Sequence, residues 1–215
     1  MSNDEIRLFW QACDAVGEPF GAIFKLLLLT GARLNEVAGM RRSELHANGL
    51  WQLPGSRTKN RRPYKLLLPP MALALIPTGQ HDLVFTTTGT TPPSGWSRAK
   101  RRLDATMLTA ARERPRNAAI EPWRLHDLRR TAVTGMAELG VRPDVIELCV
   151  NHVSGSRGGI AGVYNHSELL RERKAALERW SAHVAGLVNV GTDNSSRCIS
   201  ARQVQHERRD RSHAL

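Results

Sequence analysis

From Leu125 to Leu139 the apolar residues Leu125, Leu128, Ala132, Met136 and Leu139 recur at helical spacing, so the stretch folds as an amphipathic helix with those residues buried. His126 and Arg129 lie three apart and share a face of that helix. A neutral imidazole beside a guanidinium fork is suited to holding a phosphate and moving a proton. For an isolated pair of this kind the default reading is a solvated basic face with a capping histidine. Its weight depends on what lines up with it elsewhere in the chain.

The chain has 215 residues and a formal net charge of +11, enough for one well-buried domain and a tail. Arginines are scattered through the sequence, which points to an anionic partner and to nucleic acid before a membrane surface. No apolar run reaches bilayer length, and Phe24 to Leu29 is interrupted by Lys25. Ser2-Asn3-Asp4-Glu5 stands where a signal peptide would carry basic residues. Three widely spaced cysteines, Cys13, Cys149 and Cys198, fit a reducing cytosol. Cys149 and His152 lack a second pair to complete a metal site, and Cys149 reads as a small helix-packing hydrophobe.

Ser2, Asn3 and Asp4 are caps for a first helix with Ile6, Phe9, Trp10, Cys13 and Val16 at a 3.6 period. A second helix buries Phe20, Ile23, Phe24, Leu27 and Leu28 and stops at Gly31, a left-handed cap. A short helix follows Arg33. Leu50 to Pro54 and Tyr64 to Pro69 are expected as two strands, joined by a basic hairpin from Gly55 to Pro63. Pro70 opens a short helix through Leu75 and Ile76, and Leu83 to Phe85 is a short extended piece. Ser97 is expected to cap a helix exposing Arg98, Lys100, Arg101 and Arg102. Pro143 starts a helix to Val150, Asn151 to Ala161 is a Gly/Ser-rich loop, and a last helix spans about Ser167 to Leu187. The polar stretch after Asn189 lacks periodicity and is expected as a flexible tail.

Phosphoryl transfer needs fixed cations around two non-bridging oxygens, an in-line nucleophile and an acid on the leaving oxygen. Arg33, anchored at a helix break, can point into a cleft or equally serve the helix dipole. Glu36 can buttress it at i,i+3 spacing, or be a surface pair of no consequence. Lys59 lies near the hairpin tip, where lysines also serve as soluble strand edges. His152 follows an apolar helix end and can cap its carbonyls. Tyr164 ends the glycine loop as a wedge against the core or as a nucleophile. What weighs against coincidence is that all of these fall in one order and spacing.

Thr30-Gly31-Ala32-Arg33-Leu34-Asn35-Glu36-Val37 resembles the first box of the tyrosine recombinases, the phage integrase family. His126-x-x-Arg129-Arg130-Thr131 resembles the second. Asn151-His152, the glycine loop and Val163-Tyr164-Asn165 resemble the end that carries the nucleophile, and Lys59 falls at the family's hairpin lysine. The resemblance runs from about Asp4 to Val184, closest to integrases of temperate phages and genomic islands.

The resemblance implies an α+β, mainly α fold: the family's DNA breaking-rejoining catalytic domain with a small antiparallel sheet. It implies a catalytic domain over 1–188, a tail over 189–215, and absence of the family's N-terminal DNA-binding domains. Tyr164 would attack the scissile phosphate and form a 3′-phosphotyrosyl link. Arg33 and Arg129 would clamp the non-bridging oxygens, Lys59 would protonate the leaving 5′-oxygen, His126 would accept the tyrosine proton, and His152 would hydrogen-bond the phosphate. No nucleotide or metal cofactor is expected, since the arginines supply the charge. Double-stranded DNA is the expected partner, held through Arg57, Arg61, Arg62, Arg98, Lys100, Arg101 and Arg102. A homotetramer on DNA in the full-length protein, a monomer for this chain, a cytoplasmic, nucleoid-associated location and no membrane complete the expectation. Tyr64 receives no catalytic role. The alternatives are a DNA-binding module without useful turnover and a type IB topoisomerase-like strand breaker.

Overall fold

The computed structural model describes residues 1–113, 120–152 and 169–189. Its organising piece is the second helix, α2 (Phe20–Thr30), whose residues from Gly21 to Thr30 are all buried. Burial on every side means this helix is wrapped rather than laid on a surface. The first helix, α1 (Asn3–Val16), covers one side. It is opened by a capping box in which Glu5 N–H donates to Ser2 Oγ at 3.2 Å and Ser2 N–H to Glu5 Oε2 at 2.7 Å. α1 and α2 approach so closely at Gly21 that a Cβ there would lie 2.3 Å from the Cys13 carbonyl oxygen. Lys25, the polar interruption in α2, is buried against the Trp10 ring at 4.7 Å and paired with Asp14.

After the left-handed Gly31, α3 (Leu34–Ala38) and a 3-10 turn (Arg42–Glu44) lead to an antiparallel ribbon of β1 (Leu50–Leu53) and β2 (Tyr64–Leu67). The register pairs Leu50 with Leu67 and Leu53 with Tyr64. Trp51, Leu53, Tyr64 and Leu66 are buried, while Gln52 and Lys65 are exposed, the alternation a half-buried ribbon requires. A short α4 (Pro70–Leu73) follows. Leu83 to Phe85 contributes one bridge, Leu83 to Arg41, rather than a strand.

The fifth helix, α5 (Trp96–Arg112), packs on α1; it starts from a left-handed Gly95 and not from a Ser97 cap. α6 (Leu125–Glu138) packs on α2 with Leu128, Ala132 and Met136 buried as the periodicity predicts; Leu125 and Leu139 are half-buried at its ends. α7 (Pro143–Cys149) follows, with Pro143 at its first position. A last helix, α8 (169–189), closes the core: Trp180 Nε1–H donates to the Leu28 carbonyl at 2.9 Å. A Cβ at Gly135 would fall 2.2 Å from the Trp180 ring, so glycine is what lets α6 and α8 meet. The expected tail, Cys198 and Tyr164 with its loop lie outside the described residues.

Candidate active site

The site begins at the Gly31 turn. With φ +62°, Gly31 ends α2 in the left-handed region that suits glycine, and a Cβ there would come 2.9 Å from Val150 Cγ1. The turn throws Arg33 sideways. Its Nη1–H donates to Glu36 Oε1 at 2.9 Å, its backbone N–H to Glu36 Oε2 at 3.0 Å, and its Nη2–H to the Asn151 carbonyl at 3.2 Å. Glu36 is buried. The expected i,i+3 contact is therefore an ion pair with its carboxylate out of solvent, not a surface pair.

Arg129 reaches the same turn from α6. Its Nη1–H donates to the Gly31 carbonyl at 2.7 Å, and the residue is buried. Burial, followed by the neighbouring Arg33 charge, lowers the guanidinium pKa, while Glu36 raises it. Two guanidinium groups are thus fastened at one turn, where a single buried carboxylate, Glu36, pairs with Arg33. His126, one turn before Arg129, is exposed at the rim. Partial burial and then the charges of Arg129 and Arg130 lower its pKa below the ordinary histidine value, against the opposing pull of Asp127. His126 therefore stays neutral at neutral pH and can accept a proton.

Lys59 is exposed and makes no hydrogen bond or ion pair among the described residues. Its hairpin is held from within by Thr58 Oγ1–H, near the Gly55 carbonyl at 3.1 Å and the Arg62 carbonyl at 2.7 Å. Asn60 Nδ2–H donates to Asn151 Oδ1 at 2.9 Å, which brings the lysine hairpin beside the end of α7. His152 lies next to Asn151. Its N–H donates to the Glu147 carbonyl at 2.8 Å, and its exposed imidazole Nδ1 is 4.0 Å from Glu147 Oε1. Arg33, Lys59, His126, Arg129 and His152 thus sit on elements tied to one another through Gly31, Glu36 and Asn151.

Two basic residues are placed differently from the DNA-facing expectation. Arg57 turns inward: its guanidinium pairs with buried Glu44 and donates to the Glu36 carbonyl at 2.9 Å. Glu44 also accepts from Trp51 Nε1–H at 3.1 Å. The reason is local, because an unpaired Glu44 carboxylate under the ribbon would be costly. Lys100 lies along its own helix, 2.6 Å from both Asp104 carboxylate oxygens and 3.8 Å from the centre of the Trp123 ring. Arg61, Arg62, Arg98, Arg101 and Arg102 remain exposed, Arg102 donating to the Ala15 carbonyl at 3.0 Å.

Tyr64 is buried; its hydroxyl donates to the Cys149 carbonyl, and burial pushes its pKa up. The Arg173 guanidinium lies 5.1 Å from the Tyr64 ring centre and donates to the Lys65 carbonyl. The Cys149 thiol, pushed up to about 11 mainly by burial, lies 3.7 Å from the Arg173 carbonyl. This cluster joins β2, α7 and α8. Sequence reasoning gave no role to Asn60, Asn151 or Arg173. For Asn151 a signal exists: asparagine just after a helix end is the usual non-glycine occupant of a left-handed position, and its φ is +50°.

The match to the phage integrase family extends over residues 1–170, so the chain belongs to that family. It is 28% identical over 165 residues to prophage integrase IntA of Escherichia coli (strain K12), a match that covers 74% of this chain and 37% of that protein. Two structures of the XerH site-specific recombinase are also similar. The pre-cleavage complex with its difH substrate has a TM-score of 0.48 and 16% identity, over 78% of this chain and 51% of that one. The post-cleavage complex with palindromic difH has a TM-score of 0.48 and 17% identity, over 82% and 52%. No described helix is long and apolar enough to cross a membrane.

Proposed function

We propose that this chain breaks and rejoins double-stranded DNA at specific sites by transesterification. The observation that carries the reading is the charge imbalance at the Gly31 turn: Arg129 is bonded to the Gly31 carbonyl and Arg33 to Glu36, the buried carboxylate beside it. A phosphodiester placed there relieves the repulsion between the two cations, and its developing charge in the transition state relieves it further.

In this reading the Tyr164 oxygen attacks phosphorus as the bond to the 5′-oxygen breaks. The tyrosine proton passes to neutral His126, and Lys59 gives a proton to the leaving 5′-oxygen. The products are a 3′-phosphotyrosine and a 5′-hydroxyl, and attack by a second 5′-hydroxyl reverses the step on a new strand. Arg33, Arg129 and His152 hold the phosphate. Tyr64, the chain's other tyrosine, has its hydroxyl committed to the Cys149 carbonyl inside the core and does not serve as nucleophile. Arg61, Arg62, Arg98, Arg101 and Arg102 supply phosphate contacts at the rim. This chain is monomeric, and the homotetramer on DNA belongs to the full-length protein.

The test is incubation with a pool of nicked suicide duplexes of randomised sequence, followed by denaturing electrophoresis. The unaltered chain and Tyr64→Phe form a covalent protein–DNA band, and Tyr164→Phe binds DNA without forming it. DNA binding with no adduct from the unaltered chain would favour a binding module without turnover. An adduct surviving in Tyr164→Phe would move the nucleophile elsewhere.

A further inference from the structure

We infer that Asn151 is a positioning residue that sets Lys59 in register with Arg33, working through Asn60. The inference rests on the role given to Lys59 above. Asn151 sits where three parts of the site meet. Its carbonyl accepts the Arg33 guanidinium at 3.2 Å, its Oδ1 accepts Asn60 Nδ2–H at 2.9 Å, and His152 is its neighbour in the chain. The orientation of the bridge is fixed independently, because Asn60 Oδ1 accepts the Arg62 backbone N–H at 3.2 Å. Asn60 must therefore present its NH2 group to Asn151, and Asn151 must present its oxygen in return.

The consequence falls on Lys59. Without contacts of its own among the described residues, its position is that of the hairpin carrying it. That hairpin is tethered on either side of Lys59: at Arg57 to the Glu36 carbonyl, and at Asn60 to Asn151. Both tethers end on the element pair that also holds Arg33. The acid and the phosphate clamp are thereby referred to one frame.

Asn151 is not the residue that backbone preference alone would select. At φ +50° glycine fits with less strain, and the asparagine leaves its Nδ2 buried without a hydrogen-bond partner among the described residues. Both penalties would vanish with glycine, and so would the bridge. The side chain serves the connection to Asn60.

The experiment compares the chain with Asn151→Gly, Asn60→Ala, the double variant and Lys59→Ala. Each is given nicked duplexes with the ordinary 5′-oxygen or with sulfur in its place at the scissile link. A thiolate leaves without needing a proton, so sulfur bypasses the acid. Asn151→Gly keeps the carbonyl that Arg33 uses and relaxes the backbone, and thermal melting confirms that each variant is folded. On the oxygen substrate each single asparagine variant should slow adduct formation by roughly tenfold to a hundredfold, the scale of a misplaced group. The double variant should be no slower than the worse single. On the sulfur substrate all should approach the unaltered chain, as Lys59→Ala does. Equal slowing of Asn151→Gly on both substrates, or additive effects in the double variant, would overturn the positioning role while Lys59→Ala stays rescued. Failure of sulfur to rescue Lys59→Ala would overturn both this inference and the acid role of Lys59.

Discussion

The Gly31 carbonyl accepts a 2.7 Å hydrogen bond from Nη1 of Arg129, 98 residues further along the chain. A turn that ends one helix therefore also orients a cation from another. The backbone angle that makes the carbonyl available is the one that glycine tolerates best.

Gly31→Ala should lose about 1–3 kcal/mol of stability, from a left-handed alanine and from a Cβ 2.9 Å from Val150 Cγ1. Urea unfolding measures the loss. Adduct formation should fall further than the folded fraction, since the Arg129 support moves with the turn. An unchanged urea midpoint would show that the turn is not under this constraint.

Arg57 and its hairpin neighbours should separate in a salt titration. Arg61→Ala or Arg62→Ala should each reduce the slope of log affinity against log salt by about 1, the signature of a lost phosphate contact. Arg57→Met should leave the slope alone and cost about 3 kcal/mol of stability, because it strands buried Glu44. A reduced slope for Arg57→Met with unchanged stability would return it to the DNA face.

The pH profile of kcat/KM for adduct formation should be flat through neutrality and fall on the acid side. The sign follows from His126: its depressed pKa keeps the imidazole neutral to lower pH, and protonation then removes the acceptor for the tyrosine proton. The falling limb should lie below the ordinary histidine value of about 6.5, and His126→Gln should flatten it at a lower rate. A limb centred above that value would contradict the electrostatics around Arg129 and Arg130.

What the sequence made legible was local. Leu128, Ala132 and Met136 predicted the buried face of α6 because periodicity is a property of one helix, and Gly31 after an apolar run announced its own left-handed cap. The box residues could be named because their order and spacing are written along the chain. The direction of Arg57 was not legible, since Arg57, Arg61 and Arg62 look alike until Glu44, 13 residues away, draws one of them inward. The lie of Lys100 was not legible for the same reason, with Trp123 supplying a face that only folding brings near. The Asn60–Asn151 bridge spans 91 residues and joins two side chains that nothing local in the sequence pairs. Pairings of that kind are tertiary facts.

The burial of α2 from Gly21 to Thr30 divides the molecule by lifetime. Amide hydrogens of a helix wrapped on all sides should exchange with solvent through the largest openings, whereas a two-stranded ribbon with one exposed face, at Gln52 and Lys65, should exchange through smaller ones. Arg33 and Arg129 are fastened at the end of α2 through the Gly31 turn, and Lys59 rides on the ribbon's hairpin, joined to them by the Asn60–Asn151 bridge. On the proposed mechanism, the fraction of molecules with every group in place at a given instant should then follow the ribbon's opening. Hydrogen exchange at Tyr64 to Leu67 is the clock by which that readiness can be read.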